Sequence, residues 1–366
     1  MKKTRALVIA LAAVMSISMT ACGAKTDDAS AALPETAQEQ TTVAAETEKE
    51  EKSEETTAEE TTAEETTAPE TTTEETTTAE PAIEYVEPAV EDFEYQYDAA
   101  IKGAIITKYN GSDKAIRIPT EIEGDPVKAF MLDNNNITHV EIPDSFTVIG
   151  EKAFYGCSNL VEVSIPNSVT EISKFAFWEC ESLERITIPN SVTFIGEAAF
   201  ESCKSLTSVT IPDSVTTIEN RIFRCCYKLE SVTFSNGVTM ISGSTFERCD
   251  NLKSVTIPDS VTTIEEWAFA DCKSLESITL PNSITTISYN AFDSCINLKD
   301  INIPESVAII KGGAFDECTK LRNLNIPDGV ATVESGAFFD CDALTVTYKG
   351  NEYNYTNFEE LYKLFN

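Results

Sequence analysis

Ala268-Phe269-Ala270-Asp271-Cys272-Lys273-Ser274-Leu275-Glu276-Ser277-Ile278-Thr279-Leu280-Pro281-Asn282-Ser283-Ile284 reads as one turn of a stack, because its Phe, Cys and Leu recur every 23 residues. The Phe column is Phe154, Phe177, Phe200, Phe223, Phe246, Phe269, Phe292, Phe315 and Phe338. The Cys column is Cys157, Cys180, Cys203, Cys226, Cys249, Cys272, Cys295, Cys318 and Cys341. The Leu column keeps the same register from Leu160 to Leu344. One unit reads A-F-x-x-C-x-x-L-x-x-V-x-I-P-x-S-V-T-x-I. A period of roughly 20–50 residues marks a solenoid, in which each unit buries its apolar residues only by stacking on its neighbours.

The unit around Leu206 shows how a turn is built. Leu206, Val209 and Ile211 point one way and Ser208 and Thr210 the other, the period-2 pattern of a strand. Pro212 ends it, since proline has no N–H for a ladder. Asp213-Ser214 makes a corner, and Val215 and Ile218 return to the core. Ala199-Phe200 and their equivalents predict a short helical turn, closed by Cys203. Strands of successive turns pair in parallel about 4.8 Å apart, so nine or ten turns give a rod of roughly 45 Å.

The motif from Ala268 to Ile284, repeated over 137–344, closely resembles the BspA-like (treponemal-type) leucine-rich repeat. The resemblance implies a right-handed leucine-rich-repeat coil of 23-residue units. A parallel sheet forms one face, short helical turns or strands the other, and both ends are capped. It also implies a bacterial surface protein that binds or adheres rather than catalyses, with matrix proteins or other bacteria as partners.

Outside the repeats the chain changes character. Residues 1–21 combine Lys2, Lys3 and Arg5 with an apolar run, Ala6 to Met19, which predicts a signal peptide. The run is too short for a comfortable span of about 20 residues. Ala21-Cys22-Gly23 resembles the lipobox of bacterial lipoproteins, which makes Cys22 the lipid-attachment residue, although Met19 stands where Leu is usual. Residues 22–91 read as a lipidated start and a disordered stalk of Thr, Glu and Ala with too little apolar surface to offset ordering entropy. Self-repulsion extends it, to about 200 Å at full stretch. Residues 92–136 predict an N-terminal cap and degenerate repeat: order begins near Phe93, and Asn134-Asn135-Asn136 falls where a Cys is due. Residues 345–366 predict a C-terminal cap. Its parts are a strand and turn, then a helix Phe358 to Leu364, capped by Asn357, with Leu361, Leu364 and Phe365 facing inward.

Net charge is −34, with 24 acidic and 3 basic residues between Gly23 and Asp98. Nucleic acid wants a basic face, so it is excluded as a partner; the membrane is met only through the lipid.

Few residues carry chemistry. Zinc needs closely spaced ligands such as C-x-x-C, whereas the ladder Cys stand 23 apart. The Cys column reads as small apolar filler with free thiols, which fits an anaerobic habitat after export. Disulfides between stacked turns are the alternative, at about 5 Å separation. His139 is the single histidine, so no Ser-His-Asp or Cys-His site can repeat along the array. No cofactor or metal is implied, and the chain reads as a non-enzyme. Tyr155, Phe175, Trp178 and Trp267 stand at variable positions, either exposed for contacts or packed on the next turn. Phe234-Ser235-Asn236-Gly237 and Ile222 break the consensus and predict a kink.

The candidate binding face is the outward strand surface. One column holds Glu162, Arg185, Ser208, Ser231, Asp300 and Asn323. Beside it run Thr187, Thr210, Thr233, Thr256 and Thr279, then Glu184, Lys253, Glu276, Lys299 and Arg322. Hydroxyls fill the middle and charges both ends. The plain reading is solvent-facing strand surface. The sharper reading is a contact face for an extended partner, and the third is a hydroxyl array that orders water. The leading expectation is recognition or adhesion of protein or glycan at a bacterial surface. The runner-up is a structural surface-layer or cell-wall scaffold without a host ligand.

Overall fold

A computed structural model describes residues 83–365. The signal peptide, Cys22 and nearly all of the stalk fall outside the described residues. What is described is a β-solenoid of about 11 turns with stacked parallel sheets.

The N-terminal cap is a four-stranded sheet in the order Phe93–Asp98, Gly103–Tyr109, Asp125–Phe130, Glu121–Ile122. Phe93–Asp98 lies at its edge, and Gly124, at φ +88°, makes the turn between the last two strands in sequence. Pairing begins before Phe93, where the sequence placed the onset of order. The Val86 N–H donates to Ala115 O at 3.0 Å, and Val86 O accepts from Arg117 N–H at 2.8 Å. The segment thereby covers the open edge of the strand Ala115–Arg117. Asn134 is buried where a Cys was due, and its Nδ2 donates to Tyr109 O at 2.6 Å.

Two ladders run along the solenoid. The first pairs Ala115–Arg117 with His139–Glu141 and Glu162–Ser164. It then joins Ser208–Ile211, Ser231–Phe234 and Ser254–Thr256, then Ser277–Ile278 with Asp300–Ile301, and Asn323–Ile326 with Thr345–Tyr348. Partners such as Val209 and Val232 stand one repeat apart, in parallel. Ser208–Ile211 is alternately exposed and buried and ends before Pro212, as its sequence pattern requires. The turn at 184–188 makes no strand, yet Ile186 and Ile188 remain buried.

The second ladder is built from two-residue strands. Val148–Ile149, Glu171–Ile172, Phe194–Ile195 and Thr217–Ile218 form one sheet, and five strands from Met240–Ile241 to Thr332–Val333 form the next. The interruption falls at the turn where Ser235-Asn236-Gly237 replaces the Pro corner. A Cβ on Gly237 would stand 2.3 Å from the carbonyl oxygens of Asp213 and Val215. Ile195 O and Ile241 O accept backbone N–H groups of the next turn, but Ile218 O accepts Ser242 Oγ at 2.8 Å. The expected kink thus has a local counterpart, a break in the second ladder; the first ladder and the Phe column pass through it.

The third side corrects the expected helical turn. The Ala-Phe segment forms linked β-turns: Tyr155 N–H donates to Lys152 O, and Cys157 N–H to Phe154 O. Lys152, Phe154 and Gly156 donate instead to Lys174, Ala176 and Trp178 of the next turn. A helix would spend every N–H within itself. Here two residues per turn adopt the left-handed region, for example Phe175 (φ +58°) with Glu179 (φ +57°), and Trp267 (φ +61°) with Asp271 (φ +58°). That twist aims alternate N–H groups along the stack.

The core is the Phe column. Neighbouring rings from Phe154 to Phe338 are 4.9–5.9 Å apart and stacked, and all are buried. Phe358 and Tyr362 close the C-terminal end at 5.6 and 6.4 Å from Phe338. The helix there is Phe358–Tyr362, shorter than expected. Leu361 is buried, but Leu364 is 56% exposed and lies past the helix, while Phe365 packs on Tyr348 at 4.8 Å. Asn357 stands at the N-cap, but its Oδ1 accepts from Asn354 N–H at 2.6 Å instead of capping the helix.

Candidate binding face

Parallel pairing in register places residue i beside residue i+23, and this builds the face. Ser208, Thr210, Thr233 and Thr256 are exposed in one flat run, with Ser231 half-buried among them. Thr279, just past the strand Ser277–Ile278, and Asp300 and Asn323, which open their strands, extend it as exposed positions. Glu184, Arg185 and Thr187 are exposed but lie in the turn that makes no strand.

The same register neutralises much of the charge the sequence offered for contacts. Glu162 and Arg185 approach to 4.0 Å. Lys253 Nζ meets Glu230 at 2.9 Å, and Lys299 Nζ meets Glu276 at 2.8 Å. The hydrogen bond and charge of Lys299 hold the Glu276 carboxyl below its ordinary value. Arg322 is exposed near the C-terminal end. Such pairs recur off the face: Glu181 with Lys204, Asp250 with Lys273, and Glu334 with Lys311. Sequence reasoning missed them, although an acid and a base one repeat apart in one column was the signal. The most enclosed is Arg224, held at 3.0 Å by both Glu201 and Glu247. Burial opposes its charge, but the bonds and charge of Glu247 outweigh this and raise its pKa.

The Cys column is buried, and its thiols are free. From Cys180 onward each Sγ donates to the carbonyl of the Phe 26 residues earlier, as Cys180 to Phe154 O at 3.2 Å and Cys341 to Phe315 O at 2.9 Å. Two turns before Cys180, Asn134 makes a comparable bond, from its Nδ2 to Tyr109 O. Burial raises every thiol of the column, Cys157 to about 11 and Cys341 to about 12. A thiolate nucleophile is thus disfavoured.

Other singled-out residues are dispersed. His139 is half-buried with Nδ1 2.9 Å from Thr138 Oγ1. Tyr155 and Trp178 stack at 4.5 Å and are half-buried, as is Phe175, whereas Trp267 is 42% exposed. Asp293 and Asp316 sit one turn apart, and burial, reinforced by neighbouring acids, pushes Asp293 up to about 6. Among the described residues no three His, Cys, Asp or Glu side chains group to hold a metal. No described helix is long and apolar enough to cross a membrane.

Fold and face define a leucine-rich-repeat solenoid with an open, regularly spaced outer sheet. The family model for the BspA type leucine rich repeat region, in six copies, matches residues 126–253 and 239–361, and the chain belongs to this family. No curated protein matches it. Among solved structures it is similar to the T. pallidum leucine rich repeat protein TpLRR, at 34% identity over 52% of this chain and 91% of that one, TM-score 0.48. It is similar to a leucine rich cell surface protein of Faecalibacterium prausnitzii A2-165, at 28% identity over 74% and 96%, TM-score 0.37. The pneumococcal vaccine antigen PcpA aligns at 16% identity over 73% and 94%, TM-score 0.34.

Proposed function

We propose that the chain is a non-catalytic recognition or adhesion lipoprotein of a bacterial surface. It is anchored through lipid on Cys22 and binds a protein or glycan through the first ladder. The carrying observation is the exposed, in-register run of Ser208 and Thr210, Thr233, and Ser254 and Thr256. A flat surface of short hydroxyl side chains costs little side-chain entropy to order and offers regularly spaced donors and acceptors. The pairing of Lys and Arg with acids one turn away favours partners that are neutral or cationic over polyanions.

The test is biolayer interferometry of the purified protein against fibronectin, laminin, mucin and peptidoglycan. A variant with Thr210→Arg and Thr233→Arg serves as the comparison. Saturable binding to one of these, weakened at least tenfold in the variant at an unchanged melting temperature, supports the reading. No saturable binding to any, or equal binding by the variant, overturns it.

A further inference from the structure

The outer positions of the second ladder form a different surface. Val148, Glu171, Phe194 and Thr217 are paired one turn apart, and so are Met240, Thr263, Thr286 and Ile309; the break of the second ladder lies between Thr217 and Met240, which stand one repeat apart in sequence. Beside them stand exposed threonines, one per turn, from Thr147 to Thr285. Thr170, Thr193, Thr262 and Thr285 donate Oγ1 to the carbonyl of the Thr one turn earlier at 3.2–3.3 Å. Those hydroxyls are thus spent on backbone. In the other column Glu171 accepts from Ser173 Oγ at 2.6 Å, while Val148 and Met240 are 38% and 40% exposed. Glu171 is the one charge in both columns over these turns, in a chain of net charge −34.

We infer that this band, with its single charge, is a self-association surface, on which a second copy of the chain packs antiparallel. Three observations choose that occupant. First, repulsion between two chains of this charge is least where the surface carries almost none. Second, each half of the band, on either side of the ladder break, repeats at the strand spacing, and a second copy repeats at the same spacing. A partner whose repeat differs by about a tenth would be half a step out of register within about five turns. Third, the order of residues is self-complementary in one direction only. Parallel alignment sets Glu171 on Glu171. Antiparallel alignment about a two-fold axis between Thr217 and Met240 sets Val148 on Ile309, Glu171 on Thr286, Phe194 on Thr263 and Thr217 on Met240, with no like charges opposed.

The area sets the strength. About eight turns at 4.8 Å by roughly 10 Å of width give about 400 Å² per copy, half of the ~800 Å² a stable complex buries on each side. Association is therefore weak in solution, with Kd in the range of about 0.1–1 mM, and gains from multivalency where many copies share a surface.

The test uses sedimentation equilibrium of the full chain carrying Cys22→Ser, from 10 µM to 1 mM. Wild type is expected to move from monomer toward dimer, and more so in 0.5 M than in 0.02 M NaCl, because salt screens the net charge. Val148→Lys should weaken the dimer at least fivefold at an unchanged melting temperature. Adding Ile309→Glu should restore it, since these positions meet only across an antiparallel pair. A wild type that stays monomeric to 1 mM overturns the proposal. So does association indifferent to Val148→Lys, which would place the contact elsewhere. Association lost in Val148→Lys and not restored by Ile309→Glu refutes the antiparallel pairing.

Discussion

Phe292→Ala is the sharpest test of how the rod is held together. The ring is fully buried and stacked 5.2 Å from Phe269 and 5.5 Å from Phe315, within 3° of parallel to each. Truncating a buried Phe costs about 3–5 kcal/mol, and loss of two stacked neighbours favours the upper half of that range. In a solenoid each turn touches only its neighbours, so the cost falls on the adjoining turns first. Hydrogen exchange with mass spectrometry reads this directly. About 4 kcal/mol should cut protection by roughly a thousandfold at the amides of Phe269 and Phe292, which donate to Ala291 O and Ala314 O. The amides of Phe154 and Phe177, which donate to Ala176 O and Ala199 O, should keep most of theirs. Equal loss along the whole rod would refute nearest-neighbour stabilisation. Less than a tenfold loss at Phe292 would refute the Phe column as the principal spine.

The thiol column predicts steep alkaline unfolding. Burial raises the folded pKa of every column Cys above its ordinary value near 9. This stabilising contribution is fully present below about pH 9 and is lost as pH rises from there through the folded values. Circular dichroism between pH 8 and 11 should show the melting temperature falling steeply above pH 9, and a Cys249→Ala, Cys272→Ala variant should show a shallower fall. Native protein should be unreactive toward Ellman's reagent at pH 8 and become reactive in guanidinium. Arg224→Met should cost about 3 kcal/mol in urea melts because it strands Glu201 and Glu247, whereas Lys299→Met, from an exposed pair, should cost less than about 1 kcal/mol. Ser244→Gly, at φ +55°, should stabilise by about 0.5–1 kcal/mol, read in the same melts.

The strand, the Pro stop, the corner and the Phe, Cys and Leu columns were legible because apolar burial forces one residue type at one phase in every turn. What stayed hidden depended on features that burial does not dictate. The left-handed positions are held by Lys152, Phe175, Ala198, Arg221 and Trp267, so no single residue type announces them; only Gly313 and Gly336 hint at the backbone they share. The helical turn was therefore read where paired left-handed residues make a third ladder. Leu364 was placed inward by helical periodicity, but the helix stops at Tyr362, whose ring takes the covering role over Phe338. The ion pairs between turns were missed for a different reason. Acids and bases were weighed along the chain, while the contact that matters lies one repeat away.

That last point bears on where function can reside. On a solenoid with strict register, a side chain's nearest surface neighbours are its own column, so a charge is available to a partner only where the column does not answer it. Glu276 and Lys299 answer each other, as do Glu230 and Lys253. Their removal would disturb a ladder contact worth little in water rather than a binding determinant. Two runs carry almost no charge for a column to answer: the short hydroxyls of the first ladder and the mixed apolar and threonine column of the second. Recognition built on such surfaces depends on shape and period rather than on single charges. A single substitution that inserts charge into either run should therefore disturb binding more than removal of any paired charge beside it.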